Sequence, residues 1–555
     1  MLAKIIEKRV SQVLLWVAPA VTLVVSPFAN FDPISVPKMM VLATVSFATF
    51  GICLFSRFKE IVYISKAFSI LTLLFVTSML IPIFASGANL GQQFWGTFGR
   101  NTGFLTYFSL ALLAWIASNA TSEVFGEKVV KSLLVTAILV TIYCIIQIAG
   151  YDPIQWSLMD TFATLGNINF LSAFLGLSSI TALVILIGSK NSPMWRVCGA
   201  ILLLSGLPII WSTGSIQGLM MFVLGAYIVF FLFIRSIVKS RMFGWIYISL
   251  GIVGGYFGLR GLRNDGPLAS FLYQPSVTFR EDYMHAAWEM LLLKPLTGVG
   301  LDSYGDWYRQ VRGQISTVRT DPERVSNSAH NIFLDLASGG GVLVVLLYLS
   351  IYIFCFYQCF RYIKNSREFD PTFVALFASW CGYILQALIS INQVGLGVWG
   401  ALLLGALARH TRSDKSKPIG EEIKKAKVVS SVKAAVLPAK VALASYFVAA
   451  LGFLAAFPPL KIDSDFRKAS TPELSLLVAK STLASTFYKE ITLQRLIEKS
   501  QFDQAKLLAT EIVQQRPRSF YAWRMLALLP NSSPSEIETA RTKLKELDPF
   551  NPTIG

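Results

Sequence analysis

The chain has 555 residues, of which 54% are hydrophobic and 15% charged, and its mean hydropathy is +0.57. That is more apolar than a soluble core and surface require, so the class is integral membrane protein. The net charge of +17 does not point to nucleic acid, because the Lys and Arg residues sit mainly in short connectors between apolar runs.

Apolar runs of about 17 to 25 residues, long enough to cross ~30 Å of hydrocarbon as a helix, predict about thirteen spans. They cover residues 11–27, 37–56, 67–85, 103–119, 130–149, 168–188, 197–213, 216–235, 243–260, 341–360, 371–391, 394–408 and 434–458. Basic groups such as Lys4, Lys8 and Arg9, Lys128 and Lys131, Arg235, Lys239 and Arg241, and the connector 409–433 fall at every second connection. By the positive-inside rule the N-terminus is cytoplasmic, and an odd number of spans leaves the C-terminus outside. Ala18-Pro19-Ala20 imitates a signal-peptide cleavage site. The next span follows at once after Asp32 to Lys38, so the first helix is expected to be retained. All six cysteines lie in or beside spans, which predicts no disulfide framework.

Four regions follow: residues 1–260 with nine spans, a long polar extracytoplasmic loop at 261–333, the remaining spans at 334–458, and an extracytoplasmic tail at 459–555. The fold class is all-α and polytopic, with a helical loop and a small helical C-terminal domain. In the tail, Phe502, Ala505, Leu508 and Ala509, then Pro517, Tyr521, Ala522, Trp523 and Leu526, put small and aromatic residues at helical spacing on two neighbouring helices. Such a pair resembles a tetratricopeptide repeat, and a further helix closes at Asp548-Pro549. A small helical bundle is the competing reading, and either suits a docking surface for a protein partner.

Two of the three histidines, His285 and His330, lie in the polar loop, and His410 lies in the basic connector, where a solvated or lipid-facing role is expected. Thr278-Phe279-Arg280-Glu281 has the form of a capping box that would hold Arg280 on the first turn of a packed helix. Pairing with Glu281 or Asp282 is the competing role for Arg280. Ser328 is a candidate N-cap for a helix from about Ala329 to Gly339-Gly340-Gly341, with His330 in its first turn. There the helix dipole would keep the imidazole neutral and fit to accept a proton. A packing histidine at the membrane interface is the alternative. The other candidates for a diphosphate or glycan are Arg100 in a Gly-rich turn, Arg260 and Arg263 at the loop entrance, Asn167 and Asn169 at a span end, and Asn331. Arginine forks match phosphate, although cations snorkelling at an aromatic belt are the commoner arrangement. Asp463-Ser464-Asp465 has the D-x-D form of metal-dependent glycosyltransferases but sits in a charged linker. No zinc spacing, nucleophile elbow or phosphate-cradling loop is present, so no metal site is expected.

Arg280 to Trp288, Pro295-Leu296-Thr297-Gly298-Val299-Gly300, and Ser328-Ala329-His330-Asn331 together resemble the O-antigen ligase and polymerase superfamily, and the turns at Gly99–Gly103 and Gly166–Asn169 are similar to its earlier outward turns. The resemblance implies a glycosyltransferase of the cytoplasmic membrane that moves a glycan from undecaprenyl diphosphate to an acceptor hydroxyl, inverting the anomeric centre, without cofactor or nucleotide sugar. It assigns His330 as base and Arg280 to the diphosphate, with Arg100 a weaker phosphate ligand. The acceptor is a glycolipid, a glycan or a protein, so ligase, repeat-unit polymerase and protein O-oligosaccharyltransferase all remain open. A lipid-glycan transporter or scaffold is the reading from another class. A transporter should carry charges within its spans, and here the charges gather in connectors.

Overall fold

A computed structural model describes residues 2–55, 66–120, 122–154, 156, 161–188, 191–412, 439–481, 483 and 485–554. Most of the basic connector expected at 409–433 lies outside these residues. Among the described residues the regular structure is helical throughout. Ten helices are long and apolar enough to cross a membrane, and three shorter apolar helices, Val10–Leu23, Phe104–Ser118 and Val394–His410, join them. The protein is thus an all-α, multi-pass membrane protein, with a helix at each of the thirteen expected spans.

Helix Ile168–Ile187 forms the centre, packed by Pro193–Ser212, Ile216–Ile237 and Pro371–Ile389. Small residues permit the close approach that packing within lipid requires: a Cβ on Gly176 would stand 2.4 Å from the Gly218 carbonyl oxygen. Arg241–Leu262 lies at the periphery with none of its apolar window buried, so its Ile, Leu and Trp side chains face the surroundings.

Three helices depart from the expected spans, each for a local reason. The span expected at 67–85 divides into Lys66–Ser78 and Leu80–Ala85, because Pro82 has no N–H to offer the Ser78 carbonyl. The last span does not stop at 458; its helix, Ala439–Lys468, continues through Pro458 and Pro459. Pro459 deprives the Ala455 carbonyl of its usual donor, and the Trp95 indole Nε1–H donates to it instead at 2.7 Å. The helix expected to begin at Ala329 and the following span form one element, Ile332–Asn365, kinked at Gly341 (φ 80°, ψ 177°).

That kink is where the polar loop joins the bundle. Val299 N–H donates to Ser338 O at 2.8 Å, Gly300 N–H to Gly339 O at 3.0 Å and Val342 N–H to Pro295 O at 2.8 Å. The backbones meet so closely that a Cβ on Gly298 (φ +62°) would lie 2.4 Å from the Gly339 carbonyl carbon. The glycines of both segments are therefore required by contact as well as by dihedral angle.

The D-x-D pair ties the tail to the first connector. Asp463 accepts from Phe31 N–H at 2.7 Å, Asp32 N–H at 3.0 Å and Tyr488 O–H at 2.6 Å, and Lys461 holds Asp465 at 2.6 Å. The tail forms helices Pro472–Ala479, Thr486–Glu498, Phe502–Gln515, Phe520–Leu528 and Pro534–Leu547, each packed on the next around Leu493, Ala505, Leu508, Ala522 and Ala540. Its final turn grips the polar loop: the Asp548 carboxylate, fully buried, lies 2.7 Å from Arg312 Nη2 and 2.8 Å from Arg309 Nη1.

Gly298→Ala is expected to lower the thermal unfolding temperature in detergent, since overpacking and a left-handed Cβ together cost about 2 to 4 kcal/mol. Gly254→Ala, at a position with open space around it, should leave the temperature unchanged. Equal melting of both variants would remove the backbone contact as a structural requirement.

Candidate active site in the polar loop

The site begins with a turn at Gly96–Gly103 that the polar loop clasps. A Cβ on Gly96 (φ +93°) would stand 2.4 Å from Thr102 N and 2.7 Å from Asp302 Oδ2, so only glycine fits. Asp302 Oδ2 accepts from Thr97 N–H at 2.7 Å and Thr102 Oγ1–H at 3.3 Å. The Arg100 guanidinium is buried between carboxylates, with Nη2 3.2 Å from Asp302 Oδ1 and 3.6 Å from Asp335 Oδ2, and Nη1 donates to the Asn327 carbonyl. Burial works against its charge, but Asp302 and Asp335 more than offset this and raise its pKa. Arg100 is thus engaged by the protein itself.

Asp335, one turn into helix Ile332–Asn365, organises the segment before that helix. Its Oδ2 accepts from Ser328 Oγ–H at 2.7 Å and its Oδ1 from Ala329 N–H at 2.8 Å, while Ser328 Oγ accepts from His330 N–H at 3.0 Å. These bonds hold His330 in a left-handed conformation, φ 54°, which a non-glycine residue adopts only when its surroundings impose it. The N-cap is Asn331, whose Oδ1 accepts from Phe333 and Leu334 N–H. The expected Ser328 cap is therefore corrected: Ser328 is drawn to Asp335, and His330 precedes the helix instead of lying in its first turn.

The imidazole is kept neutral by burial and neighbouring charge. Burial lowers its pKa to about 4, with the Arg280 and Arg100 cations adding to the effect. The ring lies 5.2 Å from that of Tyr283, and Nδ1 is 3.3 Å from the Ser328 carbonyl oxygen. A carbonyl only accepts, so Nδ1 carries the proton and the Nε2 lone pair is left for another partner.

Arg280 lies in helix Pro275–Leu293, which starts earlier than the capping-box reading places it. Gln274 is the N-cap and Pro275 the first residue, a position for which proline is preorganised. Arg280 is consequently in the second turn. The acids proposed as its alternative partners are engaged elsewhere: Glu281 with Arg263 at 2.9 Å and Asp282 with Arg319 at 2.6 Å. Among the described residues Arg280 has no hydrogen-bond or ion-pair partner, and burial lowers its pKa. Arg324, not singled out from the sequence, lies 4.8 Å over the Phe279 ring, and its charge reaches Tyr283. The charges of both Arg280 and Arg324 reach Tyr283, whose ring lies against that of His330.

The remaining candidates are engaged within the protein. Arg260 forks onto Asp265 at 2.7 and 2.8 Å. Asn167 caps Ile168–Ile187, and Asn169 Oδ1 accepts from Ser215 at 2.8 Å. His285 lies 3.7 Å from Glu289. His410 is not solvated as expected but sits 2.7 Å from Asp370 against the rings of Tyr362 and Phe373. Asp302 and Arg324 were missed because their partners lie more than 40 residues away, and Asp335 because its bonds to Ser328, Ala329 and Arg100 form only once the turn before its helix is folded. Among the described residues no three His, Cys, Asp or Glu side chains cluster to hold a metal ion.

With three histidines in the chain, imidazole NMR resolves His330 directly. Its ring should stay neutral down to about pH 4, and Arg280→Ala should move the transition upward because a repelling cation is removed. Since the unfolded chain takes up this proton near 6.5 and the folded one near 4, the His330 contribution leaves stability untouched above that window and lowers it as pH falls through it. A transition near 6.5 in the folded protein would contradict the buried placement. Asp335→Asn, which keeps shape but loses the charge facing Arg100, should unfold at lower temperature by about 3 kcal/mol; a parent-like melt would show that the carboxylate is dispensable.

No curated protein matches the chain. Residues 162–349, which contain the polar loop and the His330 turn, match the family model described as O-Antigen ligase. Over those residues, about a third of the chain, the protein is similar to the O-antigen ligase family, which supports a membrane enzyme that transfers glycans in polysaccharide assembly.

Proposed function

We propose that the protein transfers a glycan from an undecaprenyl diphosphate carrier to an acceptor hydroxyl at the outer face of the cytoplasmic membrane. The observation that carries this reading is the neutral His330 ring lying in the field of Arg280, a part-buried guanidinium without a carboxylate of its own. A general base must be unprotonated at working pH, and an anion site must have cations to spare.

In this reading the acceptor O–H gives its proton to His330 Nε2 as the oxygen attacks the anomeric carbon. The bond from that carbon to the diphosphate oxygen breaks, and its electron pair leaves with the diphosphate. Arg280, assisted by Arg324, stabilises the growing charge, which fixed guanidinium groups do best in a site shielded from water. Attack opposite the leaving group inverts the anomeric centre. The bound diphosphate also offsets the cations that hold the His330 pKa down, so the base strengthens once the donor is in place. Arg100 acts through Asp335 and Asn327, positioning the turn, and is not assigned to phosphate. The alternating basic connectors support a cytoplasmic N-terminus with the loop and tail outside.

His330→Ala in purified protein given an undecaprenyl diphosphate glycan and an acceptor should lose roughly a hundredfold or more in turnover. Arg280→Lys keeps charge but loses the planar fork and should lose about tenfold or more. Parent-like turnover in a folded His330→Ala variant would dismiss His330 as base, and parent-like turnover in Arg280→Lys would reduce Arg280 to an interface anchor.

A further inference from the structure

Between the tail helices and the polar loop lies a chamber of about 460 Å³, within the range of about 300 to 1,000 Å³ that small-molecule sites occupy. It adjoins the candidate active site: Asn327 lines it, and the carbonyl of the same residue accepts from Arg100. Trp307 and Phe487 contribute aromatic surface, and Asp306, Glu490 and Arg516 contribute charge.

Most of the polar groups facing the chamber are already engaged. Lys294 Nζ donates to Ser86 O at 3.0 Å. Arg518 Nε donates to Asp306 O at 3.0 Å, with the guanidinium 3.4 Å from the Trp307 ring centre. One Glu490 oxygen accepts from Ser519 at 2.8 Å, and one Asp306 oxygen accepts from Gln92 at 3.2 Å. Each carboxyl therefore keeps an oxygen for which the structure provides no comparable bond. Arg516 is the exception among the cations: half-buried and within electrostatic reach of these two carboxyls, its guanidinium has no hydrogen-bond or ion-pair partner among the described residues. A guanidinium offers five donors, and leaving them unmet in a concave polar space is costly. Burial also holds Glu490 up to about 7, so near neutrality it can donate as well as accept.

We propose that the chamber binds a short acidic saccharide, with Arg516 on the carboxylate or phosphate substituent and the free oxygens of Asp306 and Glu490 on sugar hydroxyls. A polyhydroxylated ligand both donates and accepts, as this lining requires. The inference rests on the proposed glycan transfer only for the origin of the ligand: the chamber gives the sugars beyond the reacting one a place at Asn327, in the segment that leads to His330.

The test is saturation-transfer NMR on the full-length protein in detergent with a glucuronate-containing disaccharide, a phosphorylated disaccharide and neutral lactose. At least one acidic disaccharide should bind, more tightly than lactose, and Arg516→Ala should weaken it about tenfold without loss of fold, since the Arg516 backbone bonds survive and its side chain has no hydrogen bond or ion pair to lose among the described residues. Thr486→Trp, which fills the chamber from its tail side, should abolish binding. Failure of both acidic disaccharides, or binding unchanged in Arg516→Ala and Thr486→Trp, would overturn the proposal. His330→Ala should retain this binding while losing transfer. Absent binding with His330-dependent transfer removes the chamber alone, and retained binding with His330-independent transfer removes the transfer assignment alone.

Discussion

One buried guanidinium holds the candidate site together. Arg100 comes from a short turn early in the chain, Asp302 from the polar loop and Asp335 from the helix that follows it, and the three charges meet where water has little access. A charge buried in this way is tolerable only when opposite charges and hydrogen bonds replace its hydration. Through Asp335 the network reaches Ser328, Ala329 and the backbone of His330. The imidazole is thus aimed by a bond network that begins outside the family-matched segment.

Backbone contact supplies the second constraint. The Pro295–Gly300 strip bonds to the backbone at Ser338, Gly339 and Val342, so the loop is anchored to the bundle at the kink itself. This fixes Asp302 relative to Asp335, which would otherwise depend on a segment of more than thirty residues. The tail adds a further clamp through Asp548, whose buried carboxylate joins Arg309 and Arg312. The loop is therefore held from the membrane side by glycine contacts and from the tail side by an ion-pair network.

This scaffold separates two kinds of arginine. Arg100, Arg260, Arg263, Arg312 and Arg319 are each matched to a carboxylate. Arg280, Arg324 and Arg516 have no such partner among the described residues, and Arg516 lines a chamber with room for a ligand. A cation whose counter-charge is built into the fold contributes stability or orientation; one without it is available to an anion. The distinction depends on partners supplied by distant segments, so residue type and spacing did not reveal it.

The sequence alone determined the membrane class, the positions of thirteen apolar helices, ten of them long enough to span, the polar loop and the choice of His330 and Arg280 as candidates, because these follow from hydropathy, chain order and local residue pattern. Capping was less legible: Ser328 and Thr278 each fit a local cap, yet Asp335 captured the first and Pro275 pre-empted the second. Folding decided which arginines remain unpaired, that burial and nearby charge rather than a helix dipole keep His330 neutral, and that the D-x-D pair serves as a structural tie. It also decided that the tail is a wall of the loop. These outcomes depend on desolvation and on contacts between residues remote in the chain, which a local pattern does not encode.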